Sequence, residues 1–300
     1  MSSDVHHVKG GRSQDFTLQG PVMSPDSFRR LAHIAMREAG LAIADNKSDM
    51  VRTRLARRLR HLGLSSYEGY CDLVERPEGA DELGQLISAL TTNVSHFFRE
   101  SHHFDLLATD VAKDLLDRAG AGQPTRIWSA GCANGQEPYT IAMVLNGVGL
   151  GPENGCKILA TDIDPDVISF ARTGAYPKQM LGGLSDENLS RYFQADGSGT
   201  FIAKDALRDA VTFRVLNLLK PWPMTGRFDA VFCRNVVIYF DKETQTRLWS
   251  KFAERIRPGG RLFLGHSERI SPCAEAYFAK SSVTTYRRTD VPITATGKES

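Results

Sequence analysis

The sequence predicts an α/β fold in which an all-helical N-terminal unit precedes a largely parallel β-sheet covered by helices. Two observations lead to this prediction. From residue 126 onward short apolar runs alternate with helical patterns, the arrangement that repeated strand–helix units produce. Over residues 23–90 apolar side chains instead recur at helical spacing. Parallel sheets bind their ligands at the carboxyl ends of the strands, so we expect the functional site there.

The N-terminal unit begins at Ser24, which has the features of an N-cap and is followed by a proline in the first helical turn. Phe28, Leu31 and Ile34 form the apolar face of this helix. Further helices are predicted at 49–61, 67–74 and 81–90.

The second helix carries five arginines within ten residues. Helical spacing turns Arg54, Arg57 and Arg60 away from its apolar face. The same spacing puts Arg52 and Arg58 on the flanks. One interpretation is a solvated helix face, the more common role of an isolated charged helix. The other is a docking surface for an acidic partner, which arginine favours because its planar guanidinium matches a carboxylate.

Residues 91–100 connect the helical unit to the sheet. Four of them are capping or turn residues, namely Thr91, Thr92, Asn93 and Ser95. The chain is therefore expected to change direction before a connecting helix. Phe97 and Phe98 are predicted to be buried between the two units. Arg99 beside them is either part of an ion pair at the edge of the core or a ligand contact.

The clearest ligand signal is a glycine turn within residues 126–139. Gly131 and Gly135 can adopt positive φ and let a ligand approach the backbone, and the helix that follows offers unpaired N–H groups. Their spacing fits neither the dinucleotide fingerprint nor the phosphate loop. Glu137 and Asp162 add carboxylates, which repel phosphate but accept hydrogen bonds from ribose hydroxyls. The pattern suits a nucleoside with a cationic group, such as S-adenosylmethionine; the alternative is a turn that only packs a helix on a strand.

Several more strands and helices complete the sheet unit. Strands are predicted at 157–162, 211–216, 228–232 and 260–264, with a last antiparallel strand at 283–287. Helices are predicted at 165–173 and 244–256. Gly131, Asp162, Asn217 and Asn235 each lie at or just past the end of a strand, as residues of one site must. Short alternating segments around a glycine turn predict a small antiparallel β insertion at about 190–210.

The composition restricts the classes of function. The chain has 41% hydrophobic and 24% charged residues, and no apolar run long enough for a membrane span or a secretory signal. Five cysteines without a Cys-x-x-Cys pair argue against disulfides and zinc, so we expect a reduced, cytoplasmic protein. His96, His102 and His103 lack acidic or cysteine partners at suitable spacing, and we expect no metal. A net charge of +2 by itself indicates no nucleic-acid partner.

Five motifs keep a common order and spacing over about residues 23–288. They are Thr91-Thr-Asn-Val-Ser-His-Phe-Phe-Arg-Glu100, Trp128-Ser-Ala-Gly-Cys-Ala-Asn-Gly-Gln-Glu-Pro-Tyr139, Ala160-Thr-Asp-Ile-Asp164, Asn217-Leu-Leu219 and Phe232-Cys-Arg-Asn-Val-Val-Ile-Tyr-Phe-Asp241. Together they resemble the chemotaxis receptor methyltransferases, the CheR family. The resemblance implies a Rossmann-like S-adenosylmethionine-dependent methyltransferase domain with a small antiparallel β insertion, preceded by a helical domain that docks on the receptor.

The expected organisation follows from the pattern and the resemblance together. We predict a disordered lead at 1–22, a helical receptor-docking domain at 23–90, a linker and connecting helix at 91–120, the methyltransferase domain at 121–290 and a frayed tail at 291–300.

The resemblance also implies roles for individual residues. Cofactor contacts carry over to Asn93, Ser95, Arg99, Glu137, Asp162, Asn217, Leu218, Arg234 and Asn235. Arg99 and Tyr239 match positions beside the transferred methyl group, and we predict that both are catalytic. Ser95 stands where the family often has threonine, and Ala133 replaces the middle glycine of the common methyltransferase turn.

The reaction that the resemblance implies is methyl ester formation on glutamate side chains of the receptors' cytoplasmic helices, with S-adenosylhomocysteine as product. These receptor helices are then the expected partner of the arginine-rich helix, and we expect docking through Arg54, Arg57 and Arg58. The segment 194–207 is shorter than in members that bind a receptor's C-terminal pentapeptide, so we expect no pentapeptide binding. We also expect a monomer that neither inserts into the membrane nor binds nucleic acid.

Two alternatives compete with this function. A nucleic-acid or small-molecule methyltransferase is disfavoured because Arg234-Asn-Val-Val237 lacks the double proline common in amino methyltransferases of DNA. The sheet unit also shows no basic stripe interleaved with aromatic residues. A module that binds S-adenosylmethionine without activity would be expected to lack Arg99 or Tyr239, and both are present.

Overall fold

The computed structural model describes residues 21–293. The predicted lead at 1–22 and tail at 291–300 fall largely outside these residues. Within the described chain, no helix combines the length and the apolar character needed to cross a lipid bilayer.

In the described N-terminal part, helices pack around a core of their own. They are α1 (Pro25–Ala39), α2 (Ser48–His61), α3 (Tyr67–Val74) and α4 (Ala80–Leu90). The Ser24 hydroxyl caps α1 by accepting a hydrogen bond from the N–H of Ser27, as predicted. Leu31 of α1 and Leu55 of α2 are fully buried in this core. The all-helical N-terminal part is thereby confirmed.

A connecting helix leads from this part to the sheet, and it changes character along its length. It consists of α5 (His102–Leu106), a π-helical stretch (Leu107–Val111) and α6 (Ala112–Gly120). The apolar pattern predicted a helix here but not the π-helical stretch. Phe97 is buried, yet its ring packs edge-on against Tyr176 and Phe193, with ring centroids 5.3 and 5.6 Å away. These two rings belong to the β insertion, which corrects the prediction that Phe97 packs between the two main units.

The rest of the chain alternates strands with helices. The order is β1 (Thr125–Ala130), α7 (Gln136–Gly147), β2 (Cys156–Asp162), α8 (Pro165–Thr173), β3 (Ala175–Pro177), α9 (Asp186–Tyr192), β4 (Phe193–Ala195), β5 (Thr200–Ala203), α10 (Asp205–Asp209), β6 (Val211–Val215), β7 (Phe228–Cys233), α11 (Lys242–Arg255), β8 (Ile256–Leu264), β9 (Phe278–Ser282) and β10 (Thr285–Arg288).

These strands form a large sheet and a small one. The large sheet has the order β6-β2-β1-β7-β8-β10-β9. Its first five strands are parallel, and β10 is antiparallel to both of its neighbours. The small antiparallel sheet, β3-β5-β4, forms the insertion. The predicted α/β class is therefore confirmed, although the strand β3 extends the insertion upstream of the predicted residues 190–210.

Two further elements differ from the prediction. The helix expected at 244–256 ends at Arg255, and β8 begins at once, so that Pro258 lies inside a strand. A proline is tolerated there because the pairing with β7 shifts register at this point. The strand β9 was not predicted. Only its first residue, Phe278, is buried, so its sequence shows no alternating apolar pattern.

The strand register places the carboxyl ends of the central strands at one edge. Ala130 of β1 lies opposite Thr161 of β2, and Ser129 lies opposite Phe232 of β7. Apolar layers cover both faces of the sheet, since neighbouring residues of β1 enter different core clusters. The residues that follow these strands therefore extend from a packed and rigid platform.

Candidate active site

A cleft opens at the carboxyl edge of the parallel strands. It contains about 950 Å³ of space, part of it open to solvent. The structure brings all ten residues predicted for the cofactor or for catalysis to its lining: Asn93, Ser95, Arg99, Glu137, Asp162, Asn217, Leu218, Arg234, Asn235 and Tyr239. The lining also includes residues that the sequence did not single out, among them Ala39, Leu41, Val94 and Ile163.

The glycine turn after β1 forms the floor of the cleft. Gly131 has φ of +87°, and a Cβ atom there would lie 2.2 Å from Cγ2 of Val236, so a side chain has no room. Ala133 has φ of +47°, which is uncommon for a residue with a side chain. Its N–H donates to Oδ2 of Asp162 at 2.9 Å. A carboxylate at the end of β2 therefore holds the strained turn.

Asp162 keeps capacity to bind a ligand. Its Oδ1 accepts from the N–H of Asp164 at 3.1 Å, in addition to the contact with Ala133. Burial raises the pKa of Asp162, and these backbone N–H groups oppose the rise. Since an ionised carboxylate can accept about four hydrogen bonds, acceptor sites remain for hydroxyl groups of a ligand.

A buried ion-pair network lies beside the glycine turn. Arg234 donates from Nη1 to Oε2 of Glu137 at 3.0 Å, and its Nη2 lies 3.4 Å from Oε2 of Glu100. Ser129 donates to the other oxygen of Glu137 at 2.6 Å. Burial raises the pKa of Glu137, while the positive charge of Arg234 opposes the rise. Burial also raises the pKa of Glu100, but the charge of Arg234 and hydrogen bonds from His266 outweigh burial, so this pKa is lowered overall.

The connecting segment closes over the glycine turn. Asn93 donates from Nδ2 to Oδ2 of Asp164 at 2.7 Å. The carbonyl oxygen of Asn93 accepts from Nδ2 of Asn134 at 3.1 Å. These contacts join residues far apart in the sequence and fix the segment that carries Ser95 and Arg99 along the rim of the cleft.

The N-terminal helices supply one wall of the cleft, which the sequence did not predict. Asn217 donates from Nδ2 to the carbonyl oxygen of Glu38 at 2.7 Å, and the N–H of Ala42 donates to the carbonyl oxygen of Tyr239 at 2.9 Å. A Cβ atom on Gly40 would lie 2.8 Å from a side-chain carbon of Leu219. The end of α1 is thus fitted closely against the two loops that follow β6 and β7.

Arg99 and Tyr239 reach the cleft with polar groups available. Arg99 donates from Nη1 to the carbonyl oxygen of Val94 at 3.1 Å, and within residues 21–293 no carboxylate pairs with it. Tyr239 is half-buried, and its hydroxyl has no hydrogen-bond partner among the described residues. Both side chains are therefore able to bind a group that enters the cleft.

Comparison with known proteins assigns the chain. Residues 93–287 match the family model for the CheR methyltransferase SAM-binding domain, and residues 26–91 match that for the CheR methyltransferase all-alpha domain. The chain belongs to the CheR methyltransferase family. It is therefore an S-adenosylmethionine-dependent methyltransferase by family.

Relatives of the CheR family support the assignment over most of the chain. The probable chemotaxis protein methyltransferase of Rhizobium etli is 43% identical over 256 residues, which span 84% of this chain and 96% of the relative. The chemotaxis protein methyltransferase of Escherichia coli is 42% identical over 254 residues, 83% of this chain and 86% of the relative. The solved glycopeptide N-methyltransferase MtfA with S-adenosylmethionine covers 52% of this chain and 53% of its own, at 15% identity and a TM-score of 0.30, too low to add to the assignment.

The residues of the cleft fit the cofactor of the CheR family. Asp162 offers acceptors for ribose hydroxyls, and Gly131 contributes backbone without a side chain to the lining. Ile163, Leu216 and Leu218 add apolar lining on which an adenine ring can pack. The individual cofactor contacts remain predictions.

The histidines near the CheR motif at 91–100 have a different environment from the one expected. Ligand atoms of Glu100, His102 and His103 lie within 4.8 Å of one another, so the premise that no acidic partner is near was wrong. His103 is fully buried, its Nε2 lies 2.9 Å from Oγ1 of Thr284, and burial lowers its pKa to about 3. Because Glu100 is already paired with Arg234, we interpret this cluster as a structural network.

The arginines of α2 fall into two groups, and none of them lines the cleft. Arg54 donates from Nη1 to the carbonyl oxygens of Leu90 and Thr91 at 2.8 and 2.9 Å. Arg58 pairs with Glu82, donating from Nε at 3.0 Å. Both guanidinium groups thus hold the helices together, which corrects the expectation that Arg54 faces away from the core. Arg57 is exposed, together with Arg52 and Arg60.

Proposed function

We propose that this protein transfers the methyl group of S-adenosylmethionine to glutamate side chains on the cytoplasmic helices of chemoreceptors. The products are glutamyl methyl esters and S-adenosylhomocysteine. Family membership supports the class of reaction. The observation that carries the choice of acceptor is the guanidinium of Arg99, which lines the cleft without a carboxylate partner among the described residues.

The acceptor requires little activation. A glutamate side chain has a pKa of about 4.3, so it is an anionic nucleophile at neutral pH and needs no general base. When bound, S-adenosylmethionine supplies an electrophilic methyl group on a sulfonium. The work left to the protein is to hold the two reactants in line and to keep water out.

Arg99 and Tyr239 are the residues suited to this positioning. A guanidinium presents parallel N–H groups that match a carboxylate, so Arg99 can bind and orient the incoming glutamate. The Tyr239 hydroxyl can donate a hydrogen bond beside the reacting atoms. The end of α1, which packs against the loop carrying Tyr239, limits the entry of water from that side.

The exposed arginines of α2 are suited to docking the receptor. Receptor methylation regions present glutamate on long helices, and an opposing arginine face would steer and align the enzyme. We assign this role to Arg57, since its side chain is exposed. Arg54 and Arg58 contribute indirectly, by fixing α2 on α4 and on the following segment.

The test is transfer of labelled methyl from S-adenosylmethionine to a purified chemoreceptor cytoplasmic fragment. The labelled receptor fragment is separated by gel electrophoresis and treated with mild base, and any volatile label that is released is collected. We expect label on the receptor that base releases as methanol, as an ester requires. Label that resists base would indicate methylation of nitrogen instead. Tight cofactor binding without any transfer would favour a signalling module that lacks this activity.

A further inference from the structure

A single carboxylate organises the loop that follows β7. Glu268 is 2% exposed and lies shortly after β8. Five backbone N–H groups donate to it, those of Asn235 at 2.9 Å, Val236 at 2.8 Å, Val237 at 2.9 Å, Ile238 at 3.4 Å and Gly265 at 2.6 Å. Four of these donors belong to consecutive residues of one loop.

The loop needs such an acceptor because of its conformation. Asn235 has φ of +59°, and a short 3-10 helix (Val237–Tyr239) starts two residues later. The first N–H groups of a helical turn have no acceptor within that turn. Glu268 supplies the acceptor and places negative charge at the start of the turn, where it is favoured.

The same loop carries two residues of the cleft. Asn235 and Tyr239 both line it, whereas Glu268 does not. The backbone between these two residues is the part whose N–H groups Glu268 binds. The carboxylate therefore holds Asn235 directly and the backbone that leads to Tyr239.

The chain at Gly265 lies close to the same loop. A Cβ atom on Gly265 would lie 2.8 Å from the backbone nitrogen of Asn235 and 2.9 Å from Oε2 of Glu268. The chain after β8 thus passes directly against the loop after β7. A side chain at residue 265 would therefore crowd both Asn235 and the carboxylate of Glu268.

We propose that Glu268 is a positioning residue for this enzyme, which holds Asn235 on the cofactor and Tyr239 beside the methyl group that is transferred. The part that concerns Tyr239 rests on the proposed function. The part that concerns Asn235 rests on the cleft and on the cofactor of the family, so the two are tested by separate readouts.

The substitution that isolates this role is Glu268→Gln. Glutamine is close to glutamate in size, but one of its two terminal groups is a hydrogen-bond donor. In either orientation an NH₂ group faces the N–H groups of the loop, and at least one of them loses its acceptor. The matched control is Asp229→Asn. Asp229 is also buried and accepts from the N–H of Arg126 at 2.7 Å, but it lies at the opposite end of β7, where it pairs with Arg118 and Arg257 as well.

The first readout is hydrogen exchange of the full-length protein without cofactor. We expect Glu268→Gln to speed exchange at the amides of residues 235–238 about tenfold or more, while Asp229→Asn leaves them unchanged. The second is the affinity for S-adenosylhomocysteine by calorimetry. We expect about tenfold weaker binding for Glu268→Gln and unchanged binding for Asp229→Asn.

A double variant shows whether Glu268 acts through Asn235. Adding Glu268→Gln to Asn235→Ala should weaken binding of S-adenosylhomocysteine no more than about twofold beyond Asn235→Ala alone. Fully additive losses, or unchanged affinity in Glu268→Gln, would overturn the proposal. If Glu268→Gln does not fold, Gly265→Ala is measured in its place, and we expect the same loss of affinity.

The rate of receptor methylation tests separately whether Glu268 positions Tyr239. With receptor and cofactor saturating, we expect Glu268→Gln to lower kcat about tenfold and to add little to Tyr239→Phe. If the wild-type protein binds S-adenosylhomocysteine but methylates no receptor, the proposed function fails while the exchange and affinity results still decide the role of Glu268.

Discussion

Arg234 donates a hydrogen bond from Nη1 to Oε2 of Glu137 at 3.0 Å, and both side chains are buried in the lining of the cleft. The pair joins the residue after β7 to the first turn of α7. The arginine therefore compensates a buried carboxylate at the point where the cofactor of the family is expected to bind.

Replacement of Arg234 by methionine should destabilise the fold strongly. It leaves Glu137 buried without a cation, and breaking a buried pair in this way costs about 3–5 kcal/mol. The measurement is urea unfolding at neutral pH. The control is Arg247→Met, which removes an exposed pair with Glu243 and should cost less than about 1 kcal/mol. If Arg234→Met lowers the unfolding free energy by no more than about 1 kcal/mol, as expected for the control, the buried network contributes little to stability.

Stability should fall in mild acid because of His103. Burial lowers the pKa of His103 from 6.5 to about 3, so between these values the unfolded chain binds a proton that the folded chain does not. Stability is therefore unaffected above about pH 6.5 and decreases as the pH falls below it. Between about pH 7.5 and about pH 5, His103 should lower the free energy of unfolding by about 2 kcal/mol.

The variant His103→Gln tests this assignment. It should flatten the dependence of the unfolding free energy on pH over that range, whatever its effect on absolute stability. The control is His33→Gln, which removes an exposed histidine of α1 outside this network. An unchanged slope in His103→Gln would show that the acid sensitivity arises elsewhere.

Charge reversal at Arg57 should impair methylation of the receptor without affecting the cofactor. We expect Arg57→Glu to lower kcat/KM for a receptor fragment about tenfold at low salt, and added salt should narrow the difference from wild type. Calorimetry should give unchanged affinity for S-adenosylhomocysteine. Arg29→Glu makes the same charge change at an exposed position of α1 and serves as the control. A wild-type rate for Arg57→Glu would remove α2 from the docking surface.

Methyl transfer should require the guanidinium group of Arg99 and not its positive charge alone. Arg99→Lys keeps the charge but loses the paired N–H groups that match a carboxylate, and we expect kcat/KM to fall about a hundredfold. Tyr239→Phe removes only the hydroxyl and should cost about tenfold in kcat. Initial rates of methyl transfer measure both effects. Wild-type kcat/KM in Arg99→Lys would exclude Arg99 as the group that orients the acceptor.

Removal of a receptor's C-terminal pentapeptide should leave the rate unchanged. The turn between β4 and β5 is short and closed on itself, since Asp196 accepts from the N–H groups of Ser198 and Thr200 at 2.8 and 3.1 Å. The comparison uses one receptor with and without the pentapeptide, each over a range of concentrations. A marked rise in KM for the truncated receptor would show that the insertion binds it after all.

Much of the framework of the site followed from local sequence pattern. The helix over Pro165–Thr173 and the residues that end the parallel strands were predicted from periodicity, capping residues and turns. Parallel strands bring their carboxyl ends together whatever the details of the loops. For this reason the structure places Gly131, Asp162, Asn217 and Asn235 around one cleft.

The contacts between distant polar groups did not follow from that pattern. Periodicity distinguishes an apolar from a polar helix face, but it does not identify the carbonyl groups that Arg54 binds more than thirty residues away. Glu268 was missed for the same reason, since its five donors come from two separate loops. The wall formed by the end of α1 likewise depends on how two parts of the chain pack.

The most direct measurement is tandem mass spectrometry of a chemoreceptor cytoplasmic fragment after incubation with the protein and S-adenosylmethionine. We predict an added methyl mass on glutamate side chains of the receptor's helical methylation region, and its absence when those glutamates are replaced by glutamine. A methyl group found on lysine, arginine or another nitrogen would contradict the assignment of a carboxylate acceptor to this cleft.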